Sequence, residues 1–239
     1  MPVVSFNPRS APRKALVRAE PTLHSAAPVY ERIRDMIVSL AIEPGSLVNR
    51  AALQTRFGLS STPVRDALMR LTNEGLVEVF PQSATRVSLI DVEKARQSQF
   101  LRRAIETEAV KIVSDGPDRT VVNALKELIE LQTAAAERSD VAAFQRADQQ
   151  FHALIYEAAG APDLFDLLRR HNGHIDRIRR LNLPVAGKMQ EVIREHAAIT
   201  RAIAAGATGD AMTRMRDHLS RSLAYSPTLR RKYPNYFKS

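Results

Sequence analysis

Apolar side chains recur three and four positions apart from Val29 onward, and the breaks in that rhythm cut the chain into short helices, a hairpin and a long helical region. Val29, Ile33, Met36, Ile37 and Leu40 share one face of a helix that starts at Pro28, and Pro44-Gly45 stops it with a turn. A second helix is expected from about Asn49 to Phe57, turning Leu53 and Phe57 inward before Gly58 breaks it. A third opens with Thr62 as N-cap and Pro63 at the first helical position, where a missing N–H costs nothing, and runs to about Asn73. Beyond Glu74-Gly75, Leu76 to Phe80 and Thr85 to Ser88 have β character and are joined by Pro81-Gln82-Ser83-Ala84.

After Asp91 the pattern is helical throughout, in six segments at 91–114, 118–138, 140–159, 162–181, 187–205 and 208–224. Breakers separate them at Gly116-Pro117, Ser139-Asp140, Gly160 to Pro162, Pro184 and Gly206 to Gly209. Leu125, Leu128, Ile129 and Leu131, and Leu164, Leu167, Leu168 and Ile175, are core candidates of a bundle. Tyr233 to Tyr236 reads as unstructured. The expected fold is mainly α, an N-terminal winged helix-turn-helix followed by an all-helical antiparallel bundle. Its divisions are a flexible arm at 1–27, the winged domain at 28–90, the effector-type bundle at 91–225 and a basic tail at 226–239.

Charge sharpens this division. The net +9 is spread unevenly: residues 1–90 carry 11 Lys and Arg against 7 acids, 91–225 carry 20 against 19, and 226–239 carry 4 against none. A basic N-terminal part over a balanced middle suits a head that meets phosphate and a bundle with another task. No run approaches the roughly 18 apolar residues of a membrane span, and Pro2, Pro8, Pro12 and Arg13 interrupt any leader-like apolar stretch, so a cytoplasmic protein is expected. The chain has no cysteine, which leaves His, Asp and Glu as the donors for any metal.

In a helix-turn-helix the second helix enters the major groove by its N-terminal end. Here that end is Ser60-Ser61-Thr62-Pro63-Val64-Arg65. Val64, Leu68 and Leu71 share a face that must be buried, which turns Arg65, Met69 and Arg70 outward. Arg65 is offered to a guanine edge or phosphate, Ser61, Thr62 and the free N–H groups of the first turn to phosphate, and Gln82, Thr85 and Arg86 of the wing to the backbone or minor groove. Taken alone, Arg70 or Arg56 is by default a solvated side chain; position in the first turn distinguishes Arg65. Phe57-Gly58-Leu59-Ser60, Thr62-Pro63-Val64-Arg65-Asp66-Ala67-Leu68 and Glu74-Gly75-Leu76-Val77, at this spacing, resemble the winged-helix domain of GntR-type regulators. The chain departs from that pattern at Arg50 and Ala51, where the family has an acidic and then a basic residue, at Ser61, where it has arginine, and at Ala84, where it has a wing glycine. The departures touch operator sequence, while backbone binding is retained through Arg50, Arg65 and Arg86.

In the second half Asp148 and His152 stand at i, i+4 on one helix, with His196 and His218 on two later ones. An i, i+4 pair projects from one face, and two more imidazoles from facing helices complete a set of one oxygen and three nitrogens suited to Zn²⁺, Ni²⁺, Mn²⁺ or Fe²⁺ rather than Ca²⁺. The residues alone leave this open against the alternative of scattered histidines. His171 and His174 read as surface or pocket-lining. Arg102-x-x-Ile105-Glu106, Asp148-x-x-x-His152, Glu195-His196 and Gly209-Asp210 with Met215 and His218-Leu219 resemble the effector domain, termed FCD, of the FadR branch of the same family, and six helices are similar to its VanR-like subgroup. The resemblance implies that Asp148, His152, His196 and His218 bind a divalent metal, Zn²⁺ first with Ni²⁺ or Mn²⁺ as alternatives, and that a small organic acid completes the coordination. It also places Arg102 at a carboxylate clamp, against a plain ion pair with Glu106 at i+4. Asn172 is a further pocket candidate, with Arg179 the weaker one.

The function that follows is a homodimeric DNA-binding transcriptional regulator, a repressor in the commoner family behaviour, which grips a palindromic double-stranded operator and changes that grip when the acid binds. A metal-dependent hydrolase using the Asp/His3 set is the alternative. No nucleophile, phosphate loop or separate acid/base pair accompanies that set, so an enzyme is not expected. A non-specific architectural binder fits the metal-lined pocket poorly.

Overall fold

The computed structural model describes residues 26–80 and 84–239, so the arm up to residue 25 and the wing residue Gln82 lie outside it. The head is built from α1 (Ala26–Val38), α2 (Arg50–Phe57), α3 (Ser61–Asn73) and an antiparallel hairpin of β1 (Val77–Phe80) and β2 (Ala84–Val87), in register Val77 with Val87 and Phe80 with Ala84. Tyr30, Ile33, Ile37, Val64, Leu68, Leu71, Leu76 and Val87 form its core. Two helix boundaries differ from the sequence reading. α1 stops early, two residues before Leu40, which takes a left-handed φ of 64°. α3 starts at Ser61 with Ser60 as its N-cap, so Thr62 and Pro63 lie inside the first turn. Asn49 caps α2 by accepting from the Ala52 N–H (3.0 Å), and Gly58 closes it at φ 64°, a conformation that glycine adopts without a Cβ penalty.

The second domain consists of α4 (Val92–Asp115), α5 (Arg119–Glu137), α6 (Val141–Ala158), α7 (Pro162–His171), α8 (Gly173–Asn182), α9 (Lys188–Ala204) and α10 (Thr208–Ser220). Helix α4 packs on α10, and α5 packs on α6 and α9. The single helix expected over 162–181 is broken at Asn172, whose N–H turns back to the Leu168 and Arg169 carbonyls, so six expected helices become seven. The subgroup likeness drawn from a count of six does not survive this. Residues 226–239 also differ from expectation. Helix α11 (Ser226–Lys232) and a 3₁₀ turn at Pro234–Tyr236 fold back, burying Leu229 and Phe237 against Ile90, Ile175 and Ile178. Ile90 exchanges backbone hydrogen bonds with this segment, donating to the Tyr236 carbonyl (2.8 Å) and accepting from the Lys238 N–H (2.9 Å). Leu229, Tyr233, Tyr236 and Phe237 do stand at helical spacing, but Pro234 and the basic run Arg230-Arg231-Lys232 mask so short a signal.

Head and bundle meet at the α7–α8 corner. Gly173 lies so close to Leu76 that a Cβ there would meet Leu76 Cδ2 at 2.6 Å. Arg177, fully buried, donates to the Ser88 carbonyl (2.7 Å), and burial pushes its pKa down to about 9, which leaves it charged near neutrality. His174, expected at the surface or lining a pocket, is buried here. Its Nδ1 accepts from the Asp91 N–H (2.9 Å) and faces Arg177 Nη2 (3.0 Å). Burial first, then the Arg177 and Lys94 charges, lower its pKa to about 3. The unfolded chain therefore binds a proton that the folded chain refuses between about pH 6.5, the ordinary histidine value, and pH 3, and stability falls as pH falls through that window. His174→Asn keeps an acceptor for Asp91 but does not titrate. Chemical denaturation from pH 6 to pH 4 is expected to show the dependence of unfolding free energy on pH shallower by about 1.4 kcal/mol per unit in the variant; equal slopes would mean that His174 titrates normally.

Candidate metal centre and DNA-facing surface

Five helices converge on one buried spot. His152 comes from α6, His196 from α9 and His218 from α10, and each offers a ring nitrogen within 4.8 Å of the others. What holds them is visible at their other nitrogens. His218 Nδ1 is 2.7 Å from Glu195 Oε2, His152 Nδ1 is 2.7 Å from Glu106 Oε2, and His196 Nδ1 is 2.9 Å from Gln132 Oε1. A carboxylate can only accept, so the Nδ1 proton is favoured and the neutral ring keeps a bare Nε2. The Nε2 atoms of His196 and His218 then face each other at 3.3 Å. His152 Nε2 and Asp148 Oδ1 are buried with no hydrogen-bond partner. Phe151 stacks on the His196 ring at 4.0 Å and fixes its plane.

Electrostatics set these groups in the protonation states a cation needs. Burial, reinforced by the neighbouring His218, lowers the His196 pKa far below its usual range, and burial lowers that of His218 despite Glu195. Burial alone would raise the Asp148 carboxyl, but Arg179, His152 and His196 outweigh it and hold the group ionised. Glu106 behaves alike, with Arg102 and His152 outweighing its burial. Neutral imidazoles and an ionised carboxylate are the metal-binding forms. The donor chemistry, the orphaned Asp148 Oδ1 and His152 Nε2, the hydrogen-bonded Nδ1 atoms of His196 and His218 and the carboxylate beside His152 all fit a divalent transition metal.

Of the four residues singled out in the sequence, three gather tightly. Asp148 is the outlying member: its Oδ1 lies 3.9 Å from His196 Nε2, while its Oδ2 accepts from Arg179 (2.5 Å). Beside the cluster is a cavity of about 30 Å³ lined by Arg102, Asp148, Tyr156, Asn172, Asp176 and Arg179. Arg102 is buried, and its Nε donates to Glu106 Oε1 (2.6 Å), so the i, i+4 pair forms, but in the interior rather than at the surface. Asn172 brings a buried, unpartnered Oδ1. Gln132, Asp176 and the ring-supporting roles of Glu106 and Glu195 went unrecognised in the sequence, because each partner is on a helix distant in the chain and no local spacing signals it. Arg179, the weaker candidate, is tied directly to Asp148.

In the head, Ser61, Thr62 and Arg65 are exposed around a concavity of about 110 Å³ that Arg50 and Gln54 also line. Arg65 has only its neighbour Asp66 nearby, at 3.5 Å. Arg70 is exposed but stacks on the Tyr30 ring at 3.8 Å, which ties it back to α1. Thr85 was expected to face DNA, yet it points inward. Its side chain is buried, and its Oγ1 accepts from Arg50 Nη2 (2.7 Å) and Nε (3.2 Å), so it anchors Arg50 to the wing instead of meeting phosphate. Arg86 on the same strand points outward.

Residues 25–87 match the family model described as "Bacterial regulatory proteins, gntR family", and residues 98–221 match the FCD domain. The chain is 31% identical to an uncharacterized HTH-type transcriptional regulator in an unstable DNA locus of Streptomyces ambofaciens, across 84% of this chain and 87% of that one. It is 28% identical to the HTH-type transcriptional repressor RspR of Escherichia coli, across 80% of this chain and 84% of that one. In fold it is similar to E. coli McbR/YncC, with a TM-score of 0.76 at 19% identity over 88% of this chain and 99% of that one. It is also similar to a GntR regulator from Rhodococcus sp. RHA1, with a TM-score of 0.67 at 20% identity over 83% and 95%. Among the described residues no helix is long and apolar enough to cross a membrane. A winged DNA-binding head matching the gntR model, joined to a helical FCD effector domain, makes this chain a transcriptional regulator that belongs to the GntR family.

Proposed function

We propose that operator affinity is governed by a small carboxylate effector bound beside a divalent metal, which Asp148, His152, His196 and His218 would hold, with Zn²⁺ ahead of Ni²⁺ or Mn²⁺. The observation that carries this reading is the pair of Nε2 atoms at 3.3 Å, each ring facing an acceptor oxygen with its far nitrogen, which favours the tautomer that leaves both Nε2 atoms with lone pairs. Two such lone pairs repel unless a proton or a cation lies between them. Burial disfavours the extra proton. When bound, the metal supplies a Lewis-acidic anchor for an acid oxygen. Arg102, Arg179 and Asn172 line the adjoining cavity and supply donors for the rest of that group.

Two heads on a palindrome require two chains, so the acting species is proposed as a homodimer. Exposed Phe100, Leu101, Ala104 and Ile112 along α4 are an apolar stripe that such a dimer would cover. Ser61, Thr62, Arg65 and Arg86 are the proposed DNA contacts, with Arg50 braced by Thr85 and Arg70 at the edge of the surface. Gln82 keeps its proposed wing role. RspR is named a repressor, which supports repression as the mode here.

The direct test is a thermal-shift screen of small carboxylic acids on zinc-loaded protein. At least one acid is expected to raise the melting temperature by a few degrees in the zinc-loaded form and not after chelation, since a ligand selective for the folded state must stabilise it. No shift with any acid would remove the effector reading.

Elemental analysis should find about one metal per chain in the wild type and little in His152→Ala/His196→Ala, given the roughly 10- to 100-fold loss that even outer support groups produce. Full occupancy of the double variant would exclude imidazole ligation.

Arg65→Ala is expected to weaken operator binding roughly 10-fold, about 1.4 kcal/mol, at fixed salt. Unchanged anisotropy titrations would take Arg65 out of the interface.

A further inference from the structure

The α7–α8 corner has two faces. Inward, Asn172 and Asp176 line the cavity beside the metal ligands. Outward, the same corner carries the DNA-binding head, and beside the fully buried Arg177 a second buried cation crosses it, Arg34 of α1, 1% exposed. The Arg34 guanidinium donates to Glu74 Oε2 (3.1 Å) and to the Arg169 carbonyl, and it lies 4.0 Å from Asp176 Oδ2. Glu74 is the C-cap of α3, the recognition helix, and also accepts from the Tyr30 hydroxyl. One buried guanidinium is therefore shared by a carboxylate at the end of the recognition helix and a carboxylate in the cavity wall.

The other links across the junction differ in kind. Arg177 donates to the backbone carbonyls of Ser88 and Gly173 and meets the Ser88 hydroxyl and the His174 ring, and neither it nor any of these partners lines the cavity. Arg169 lines the cavity too, but its side chain binds Glu31 of α1 rather than a group on α3. Among the described residues, Asp176 is the one whose side chain both faces the cavity and competes for a cation that also holds α3; Arg169, also in the cavity wall, meets Arg34 only through its backbone carbonyl. The hold of Asp176 on that cation is loose by geometry, 4.0 Å from Arg34 Nη2 against 3.1 Å between Arg34 Nε and Glu74. A loosely paired carboxylate changes partner when a new charge or donor enters the space beside it.

We propose that Asp176 is a positioning residue that passes the state of the cavity to the recognition helix, by setting how firmly Arg34 holds Glu74. The proposal rests on reading that cavity as the effector site. Two arrangements of one ion-pair network supply the two-state element that coupling between distant sites requires.

The test uses full-length, zinc-loaded protein and a duplex selected by the wild type from a random-sequence pool, with affinity read by anisotropy over a salt series. Asp176→Asn is expected to shift affinity fivefold or more and to change the slope of log Kd against log salt, because a re-posed helix alters its phosphate contacts. The same substitution in an Arg34→Lys background is expected to have less than a twofold effect. If Arg34→Lys does not fold, Glu74→Gln replaces it: Asp176 and Glu74 should then be coupled in operator affinity although they contact only through Arg34. Equal effects of Asp176→Asn in both backgrounds, or an unchanged affinity, would overturn the relay. The cycle needs no effector, so a failed acid screen would sink the reading of the cavity while leaving this measurement decisive.

Discussion

Three imidazoles packed with their unprotonated nitrogens turned toward one another are an unfavourable object in a hydrocarbon interior, and the bundle is organised around keeping them so. Each ring is held from behind by an acceptor on a different helix: Glu106 on α4, Gln132 on α5 and Glu195 on α9. Phe151 stacks on one of them. Such a set forms only if α4, α5, α6, α9 and α10 all keep their rotation and register, since a slip of one residue turns a side chain through about 100° on a 3.6-residue helix. The apolar core of Val110, Leu125, Ile155, Ile199, Ile203, Met215 and Leu219 imposes that register. Core packing and site geometry are thus one constraint viewed from two sides. Orphaned Oδ1 and Nε2 atoms are the residual cost, one that a cation would remove.

Local signals were legible in the sequence and distant ones were not. Helices, hairpin and winged order follow from periodicity and from breakers such as Gly58 and Glu74-Gly75, because those act within one turn of chain. The histidines could be nominated because Asp148 and His152 share a helical face. Their supports could not, since Gln132 lies 64 residues from His196. Asn172-Gly173 was a readable break that the continuous apolar stripe over 162–181 masked. That break matters, for it turns Asn172 and Asp176 into the cavity and sets Gly173 against Leu76. Thr85 was misjudged for a related reason. Alternation assigns a strand residue to a face, but only tertiary structure decides which face meets the helices, and here Arg50 captures the hydroxyl from across the domain.

That capture also bears on how this head differs from its relatives. Ser61 stands where the family pattern has arginine, so the recognition helix enters the groove with one fewer fixed cation. Arg50, at the start of α2, is braced against the wing by Thr85 and borders the same concavity as Ser61, Thr62 and Arg65. A braced guanidinium loses less side-chain entropy on meeting phosphate than a free one. With the DNA contacts proposed above, positive charge at the rim in place of the reading position would favour backbone grip over base discrimination at that step.

The junction between head and bundle is held by charges in a place where hydrocarbon would be more stabilising. Burying Arg34 and Arg177 costs several kcal/mol of desolvation each, an expense that well-packed apolar residues would avoid. Yet an apolar joint has one best packing, whereas a guanidinium among several acceptors has more than one good arrangement at similar free energy. Around Arg177 the partners are the Ser88 and Gly173 carbonyls, the Ser88 hydroxyl and the His174 ring, all belonging to the joint itself and none lining the cavity. Around Arg34 two of the acceptors are side chains belonging to different functional regions. Partners confined to the joint at one cation and divided between two regions at the other are what the proposed relay requires. A regulator must hold its head in a defined pose and still be able to alter it, and this division between two buried arginines meets both requirements within a single corner of the fold.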